Sequence, residues 1–301
     1  MMRCWVCAGG DTVLWKSRSI DRPLTERDLQ ITDDRYGATL ALWRCRTCRF
    51  VFADGHDLEQ LSALYERLTD VDYLRDREPR ALQMRWLIDK ALEAHPRART
   101  LLDVGAGAGV LIAEARERGL EAVGVEPSRS LVEHGRRDGD IPLLQGVLPH
   151  PGLADRRFDV ISLVDVLEHV IDPVGLLRHC AALLSPGGVM LIVTPDVGSL
   201  TARVMGARWW HFRLAHVGYF SRPSIERAAA EAELSVVSAF RPRWYFRVHY
   251  LAARLARYLP LQGLNRLAGN RRMLRAAYER VIPLAPLDSL GLVLRARADP
   301  R

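Results

Sequence analysis

The chain has 301 residues, 49% apolar and 26% charged, the balance of an ordinary globular protein with room for one large α/β domain plus something small. It holds no run of 18 uncharged apolar residues and no apolar stretch of signal-peptide length behind Arg3, so neither a membrane-spanning helix nor secretion is expected, and the location expected is cytoplasmic. The formal charge of +7 points to an acidic partner, but 41 of the 43 basic residues are arginine, so an arginine cluster says less about phosphate recognition here than in a mixed composition.

The first informative elements are two cysteine pairs, Cys4-x-x-Cys7 and Cys45-x-x-Cys48. Two residues between cysteines let one tight turn aim both sulfurs at a point, and two such turns make a tetrahedral thiolate site suited to Zn2+. With all four positions taken by cysteine no open position remains, so the metal is expected to be structural. Two disulfides or a redox C-x-x-C are the alternatives. They fit poorly with a cytosolic chain and with the lack of a βαβ unit around either pair. Cys180 stands alone on an apolar helix face and reads as a core residue. Behind the module, Asp57 to Leu68 and Pro79 to Ala94 show apolar residues at helical spacing, and His95-Pro96 ends the pattern.

From Thr100 onward, apolar runs alternate with helical stretches. The runs are Thr100–Val104, Ala122–Val125, Pro142–Leu144, Phe158–Val164 and Val189–Thr194. That alternation argues for a parallel sheet covered on both faces. The first run ends in Asp103-Val104-Gly105-Ala106-Gly107-Ala108-Gly109, where glycines let the backbone approach a ligand beside a helix N-terminus. The second ends at Glu126, 23 residues after Asp103, where a carboxylate can accept both ribose hydroxyls. Val110 stands where a dinucleotide fingerprint has its third glycine, and Asp103 would repel a pyrophosphate. Such a loop suits a ligand with a cationic amino group.

With these motifs the chain resembles class I S-adenosylmethionine-dependent methyltransferases. The resemblance rests on LLDVGAGAG (101–109), VGVEPS (123–128), FDVISLVDVLEHV (158–170) and LLSPGGVMLIVTP (183–195). It is narrower toward methyltransferases of sugar, polysaccharide and natural-product pathways, which carry an N-terminal four-cysteine zinc module. Shared stretches there include ITDDRYG (31–37) and WWHFRLAHVGYFSRPSI (209–225). The chain is too short for the further C-terminal domain of the sugar C-methyltransferases in this group.

The resemblance implies an α/β fold: a Rossmann-like seven-stranded mostly parallel sheet with helices on both faces, plus a small N-terminal zinc-ribbon-like module. The expected organisation is 1–54 zinc-binding module, 55–96 helical connector, 97–241 and 284–301 methyltransferase domain, and 242–283 a basic insertion between the last two strands. The resemblance further implies that Asp103, Gly105, Gly107, Gly109 and Glu126 bind S-adenosylmethionine and that Asp165 lines the reaction site.

Methyl transfer asks the protein mainly to position the acceptor and remove its proton. His216, just before an expected helix cap at Ser221 or Ser224, is the first candidate base. In the resembling enzymes a histidine here reaches over the methyl. The alternative is a structural histidine in a packed crossover loop. A second constellation is Asp165-x-x-Glu168-His169, three side chains on one face if a helical turn follows the strand. Together with His216 these could hold Mg2+ or Mn2+, as an E-x-x-E-H motif plus a later histidine does in some small-RNA and quinone-precursor O-methyltransferases. The simpler reading is that Glu168 and His169 pack beneath the site. Trp209, Trp210, His211, Tyr219 and Phe220 read either as a stacking platform for sugar or aromatic acceptors or as a packed hydrophobic lid.

Between two further expected strands, Leu234–Phe240 and Gly291–Ala296, the segment 243–283 carries nine arginines against Glu279 alone, a net +8, leaving the rest of the chain at −1. A helical wheel over Arg247–Leu259 gathers Arg247, Arg254 and Arg257 beside Val248, Leu251, Leu255 and Tyr258, and a second helical stretch is expected around Arg271–Val281. The insertion reads as a cap for an anionic acceptor, as a contact with an anionic membrane surface, or as a solvated face without a ligand. The expected function is methyl transfer to a small-molecule or glycan acceptor, most simply a hydroxyl oxygen. One rival is an RNA methyltransferase with the zinc module and the insertion as its platform, against which no N-P-P-Y-type tetrad follows the fourth strand. The other is a non-catalytic binding protein on the same fold, against which Asp103, the three glycines and Glu126 argue.

Overall fold

The computed structural model describes residues 2–30, 36–54, 56–70, 77–255 and 278–297. Three short antiparallel strands open the chain: β1 (Thr12–Lys16), β2 (Ala41–Cys45) and β3 (Val51–Asp54). Each cysteine pair sits in its own turn, and the two turns are of the same kind. Ala8 N donates to Cys4 O and Arg49 N to Cys45 O, each at 3.0 Å, and Ala8 and Arg49 both take left-handed backbone angles, φ 57° and 65°. A 3-10 turn (His56–Gln60) leads into α1 (Leu61–Glu66), so the expected helix from Asp57 to Leu68 is a shorter, two-part element. The longer α2 (Arg77–Ala94) runs to the residue before His95-Pro96.

The α/β part follows as β4 (Thr100–Val104), α3 (Val110–Glu117), β5 (Glu121–Glu126), α4 (Arg129–Gly139), β6 (Leu143–Gln145), β7 (Phe158–Val164), α5 (Pro173–Ala182) and β8 (Leu184–Pro195). Local chemistry sets the helix starts. Ser128 Oγ accepts from Leu131 N at α4, and Asp172 accepts from Gly175 N ahead of Pro173 at α5. Then come α6 (Leu200–Met205), the two-residue β9 (Gly218–Tyr219), α7 (Arg222–Glu231) and β10 (Leu234–Phe240). Ser221 caps α7 in a box with Ser224.

The insertion differs from its expected form. It opens as a strand, β11 (Trp244–Arg247), passes into α8 (Val248–Leu255), and closes as β12 (Val281–Leu284) before β13 (Ser289–Ala296). Arg247 therefore ends a strand that pairs with β12 and is not part of the helical wheel; its guanidinium bonds Glu78 at 2.8 Å. Val281 begins a strand where a helix was expected, because Trp244–Arg247 offers it a partner edge. Arg257, Tyr258 and 271–277 lie outside the described residues, as does 31–35 of the ITDDRYG stretch.

The main sheet has seven strands in the order β10-β13-β8-β7-β4-β5-β6, with β13 antiparallel to both neighbours and the rest parallel. Alternation along each strand fills both faces. Leu102, Val104, Ile161, Leu163, Met190 and Ile192 join one core, and Leu101, Val160, Val189, Leu191 and Val193 the other. The N-terminal module is not separate from this packing. Phe50 and Phe52 belong to the first core, and the β1-β2-β3 sheet gains β9 as its fourth strand, through Val51↔Tyr219 and Phe52↔Gly218. Cys180 is fully buried in that core, and burial pushes its thiol up to about 12.

Candidate functional site

The glycine loop turns at the carboxyl end of β4 with Gly105, Gly107 and Gly109 at φ 71°, 55° and 80°. A Cβ on Gly105 would meet Val166 Cγ2 at 2.6 Å and one on Gly109 would meet Ile141 Cγ2 at 2.4 Å, so neither position takes a side chain. Glu126 closes the loop from β5. Its carboxylate accepts from Gly107 N and from Ser128 N, both at 2.8 Å. Asp103 is buried behind the loop, where Ser162 Oγ donates to it at 2.7 Å. Burial outweighs that bond and pushes its carboxyl up to about 7. The five residues assigned to cofactor binding thus stand together at one sheet edge. A buried acid able to ionise against a cationic amino group, beside glycines that leave the backbone open, fits S-adenosylmethionine.

Asp165 follows β7 in a left-handed backbone conformation, φ 54°, and only then does a 3-10 turn, Leu167–His169, begin. The expected common helical face of Asp165, Glu168 and His169 is therefore not formed, since Asp165 lies outside the turn. What converges instead is Glu168, His169 and His216, which offer three ligand atoms within 4.8 Å of one another. The His169 and His216 rings meet edge to face at 4.8 Å.

Both imidazoles are oriented by backbone carbonyls. His169 Nδ1 lies 2.8 Å from Ala215 O, and His216 Nδ1 lies 2.8 Å from His211 O. A carbonyl can only accept, so each Nδ1 carries the proton and each Nε2 keeps a free lone pair. Burial holds both rings neutral, His169 with a pKa lowered to about 4 and His216 held well below the usual histidine range by burial first and then by His169 and Arg213. Glu168 is buried, with Thr194 Oγ1 donating to Oε2 at 2.9 Å while Oε1 has no partner. Burial and the neighbouring Asp165 raise its pKa. Asp165 Oδ1 is likewise buried without a partner, and burial followed by the charge of Asp288 pushes this carboxyl up to about 7.

Sequence reasoning missed four contributors. Tyr65 of α1 sets its hydroxyl against His169 Nδ1, Arg213 lends its positive field to both histidines, Thr194 holds Glu168, and Asp288 accepts from Trp209 Nε1 and pairs with His211 Nε2, each at 3.3 Å. Thr194 and Arg213 at least stood in the motifs of 183–195 and 209–225; a tyrosine in the connector and an aspartate after the insertion carried no local signal. Trp209, Tyr219 and Phe220 are fully buried, which makes them core and not a stacking platform. Trp210 and His211 are partly exposed.

At the other end of the chain, Cys4 Sγ lies 3.5 Å from Cys48 Sγ and Cys7 Sγ 3.6 Å from Cys45 Sγ, with all four sulfurs within 4.8 Å of one another. None is in a disulfide. Sulfurs bound at about 2.3 Å around one tetrahedral ion stand roughly 3.8 Å apart, so the donor set fits Zn2+.

Residues 73–239 match the family described as methyltransferase domain. The ubiquinone biosynthesis O-methyltransferase of Methylocella silvestris is 29% identical over 178 residues, 55% of this chain and 70% of that protein. That of Rhodopseudomonas palustris (strain TIE-1) is 30% identical over 122 residues, 39% of this chain and 44% of that protein, so the chain spans less than half its length. Among solved structures, the CcbJ methyltransferase from Streptomyces caelestis shares the fold, with a TM-score of 0.51 over 78% of this chain and 98% of that one at 15% identity.

Proposed function

The chain belongs to the methyltransferase-domain family, and from that premise we propose that it transfers the methyl group of S-adenosylmethionine to a hydroxyl oxygen of a small-molecule or glycan acceptor, with His216 as general base. The name O-methyltransferase carried by its relatives supports oxygen as the acceptor atom. S-adenosylmethionine, when bound, supplies a methyl group on an electrophilic sulfonium. Asp103 and the backbone of Gly105, Gly107 and Gly109 would hold the methionyl part, and Glu126 the ribose hydroxyls. Asp165 would line the reaction site. The observation that carries the base assignment is the fixed tautomer of His216: Nδ1–H is spent on His211 O, so Nε2 is unprotonated and free to take a hydroxyl proton. His169 is fixed in the same way beside it.

The test is His216→Ala. The variant is expected to bind S-adenosylmethionine normally by calorimetry and to lose on the order of 10²-fold or more in turnover with a panel of phenols, catechols and hydroxylated sugars. Full turnover would remove the assignment.

A second reading is favoured by the orphaned Oε1 of buried Glu168. Glu168, His169 and His216 would hold a divalent ion, Mn2+ fitting two imidazoles and a carboxylate better than Mg2+. Such an ion would supply Lewis acidity at the acceptor oxygen. EDTA treatment that leaves the thiolate zinc in place separates the two readings. Lost turnover restored by Mn2+ supports the ion, and undiminished turnover supports the base alone.

The module sulfurs would hold Zn2+ as a structural ion. No helix among the described residues is long and apolar enough to cross a membrane. The basic insertion is proposed as a cap beside the acceptor side of the sheet.

A further inference from the structure

One buried carboxylate beside the site has no part in the proposed reaction. Asp288 stands immediately before β13 and is 1% exposed. A carboxylate taken out of water is costly unless donors meet it. Both partners of its Oδ2 come from the segment that bears the candidate base. Trp209 Nε1 donates to Oδ2 at 3.3 Å, and His211 Nε2 pairs with the same oxygen at 3.3 Å. An apolar side chain at this position would fill the space and leave the indole N–H and the imidazole without that partner.

Asp288 is itself set by the main sheet. Its carbonyl accepts from Asp196 N at 2.7 Å, and the next residue, Ser289, pairs with Pro195 at the end of β8. Asp196 is held in turn by Gly198 N at 2.9 Å and by Arg241 at 2.7 Å. The segment that Asp288 grips has little regular structure of its own: α6, a 3-10 turn (Gly206–Arg208) and the two-residue β9. Within it the His211 carbonyl accepts from His216 Nδ1 at 2.8 Å. The two rings lie nearly parallel, 6.0 Å between centroids and 19° between planes, and Trp209 meets His211 edge to face at 5.0 Å. A continuous series of contacts thus runs from the sheet through Asp288 and residues 209–211 to His216. Which nitrogen of an imidazole keeps its lone pair is set by the bond the other one makes. That bond is only as well placed as the carbonyl of residue 211, and a carbonyl in an irregular segment needs support from a rigid element.

We propose that Asp288 is a positioning residue for the base. By holding the side chains of Trp209 and His211 it places the His211 carbonyl, and that carbonyl keeps His216 in the Nδ1–H form with Nε2 open to the acceptor. Asp288 acts in this role through His211 and not on the reacting atoms. The inference rests on His216 being the base, and it does not depend on the identity of the acceptor.

The tautomer can be read directly. The full chain, labelled with 15N-histidine, is measured by long-range proton–nitrogen correlation at pH 8 without acceptor, and His216→Gln identifies the His216 signals. The wild-type ring is expected to show a protonated Nδ1 and an unprotonated Nε2. In Asp288→Leu and in His211→Phe both nitrogens should move toward intermediate shifts as the two tautomers exchange. Asp288→Asn keeps an acceptor oxygen and should stay near wild type. Turnover of the Leu and Phe variants with the same acceptor panel should fall on the order of tenfold or more, at unchanged calorimetric affinity for S-adenosylmethionine. Asp288→Leu/His211→Phe should be no worse than the more affected single variant, because both changes cut one link. Melting curves identify which variants are folded, and His211→Phe, at a partly exposed position, does not empty the core. A merely structural Asp288 would lower the melting temperature and leave the tautomer in place. Folded Asp288→Leu or His211→Phe protein with His216 still wholly in the Nδ1–H form would overturn the proposal, as would a wild-type ring protonated on Nε2. The spectra require no turnover, so they separate this inference from the base assignment, which full turnover by His216→Ala would end.

Discussion

At the scale of single residues the site is a set of ionisable groups kept neutral by burial. Asp103 shows the consequence most simply. Its folded pKa of about 7 lies far above the ordinary aspartate value, with burial the leading cause. A carboxyl raised on folding contributes stability that is full below its unfolded pKa and is lost as pH rises through the folded value. The cofactor-free protein should therefore lose up to roughly 4 kcal/mol from this group between about pH 4 and about pH 7, with no further loss once the folded carboxyl has ionised. Asp103→Asn should raise the melting temperature at pH 8 and leave it nearly unchanged at pH 4, and equal effects at both would contradict the burial argument. The same group couples to ligand binding. A cationic amino group placed beside it favours the ionised form, so binding expels a proton below about pH 7. Calorimetric affinity for S-adenosylmethionine should weaken toward tenfold per pH unit on the acid side and level off above it. In Asp103→Asn that slope should vanish along with much of the affinity.

At the scale of elements, the segment bearing His216 is shaped from two sides. Val217 N donates to Glu168 O at 2.8 Å, tying it to the turn after β7, and Ala53 N donates to Val217 O at 2.7 Å, tying it to the cysteine module. Phe50 packs on Phe220 at 4.7 Å between ring centroids and against Gly218, where an added Cβ would meet its Cζ at 3.1 Å. Gly218→Val should wedge β9 from β3 and move His216 two residues upstream. Expected are about 1–3 kcal/mol of lost stability and a fall in turnover at unchanged cofactor affinity, read by thermal melts, kinetics and calorimetry. A melting shift with intact turnover would show that the module does not shape the segment bearing His216. These ties also mark where the sequence stopped being legible. Thr100–Val104, Phe158–Val164 and Leu234–Phe240 were readable to the residue, because an apolar run of five to seven positions set off from its helical neighbours leaves a pattern. Gly218–Tyr219 is too short to leave one, and its pairing with β3 is a contact across more than 160 residues. The glycine loop, Glu126 and the histidines were legible as motifs. Tyr65 and Asp288 were not, since each reaches the site from an element with no motif of its own. Asp165 was legible as a residue but not in its geometry, because a left-handed angle, though enriched for aspartate, is still the exception for it, and a single aspartate after a strand does not announce one.

At the scale of the molecule, the charge and the core are distributed differently. The +8 of residues 243–283 leaves the rest of the chain near neutral, so the basic character belongs to one region. The apolar core has no such boundary. Cys4, Val6, Cys45, Cys48, Phe50 and Phe52 lie in the same cluster as Leu102, Ile161, Met190, Phe220 and Leu292 of the main sheet and its surroundings. A further cluster is made jointly by Leu40, Leu42, Val51 and Ala53 of the module and Trp209, Phe212, Leu214 and Val217 of the segment bearing His216. If the module melted alone it would expose the loop's half of that cluster, an apolar cost the remaining contacts do not offset. Unfolding should accordingly be one cooperative transition that includes both parts. If the four sulfurs hold Zn2+ as proposed, and hold it in the folded state alone, a strong chelator should lower the whole transition. Scanning calorimetry with and without the chelator decides the matter. A single peak that moves as one body is expected, whereas a low-temperature peak that appears on chelation while the main peak stays in place would mean that the module and the catalytic sheet are independent folding units.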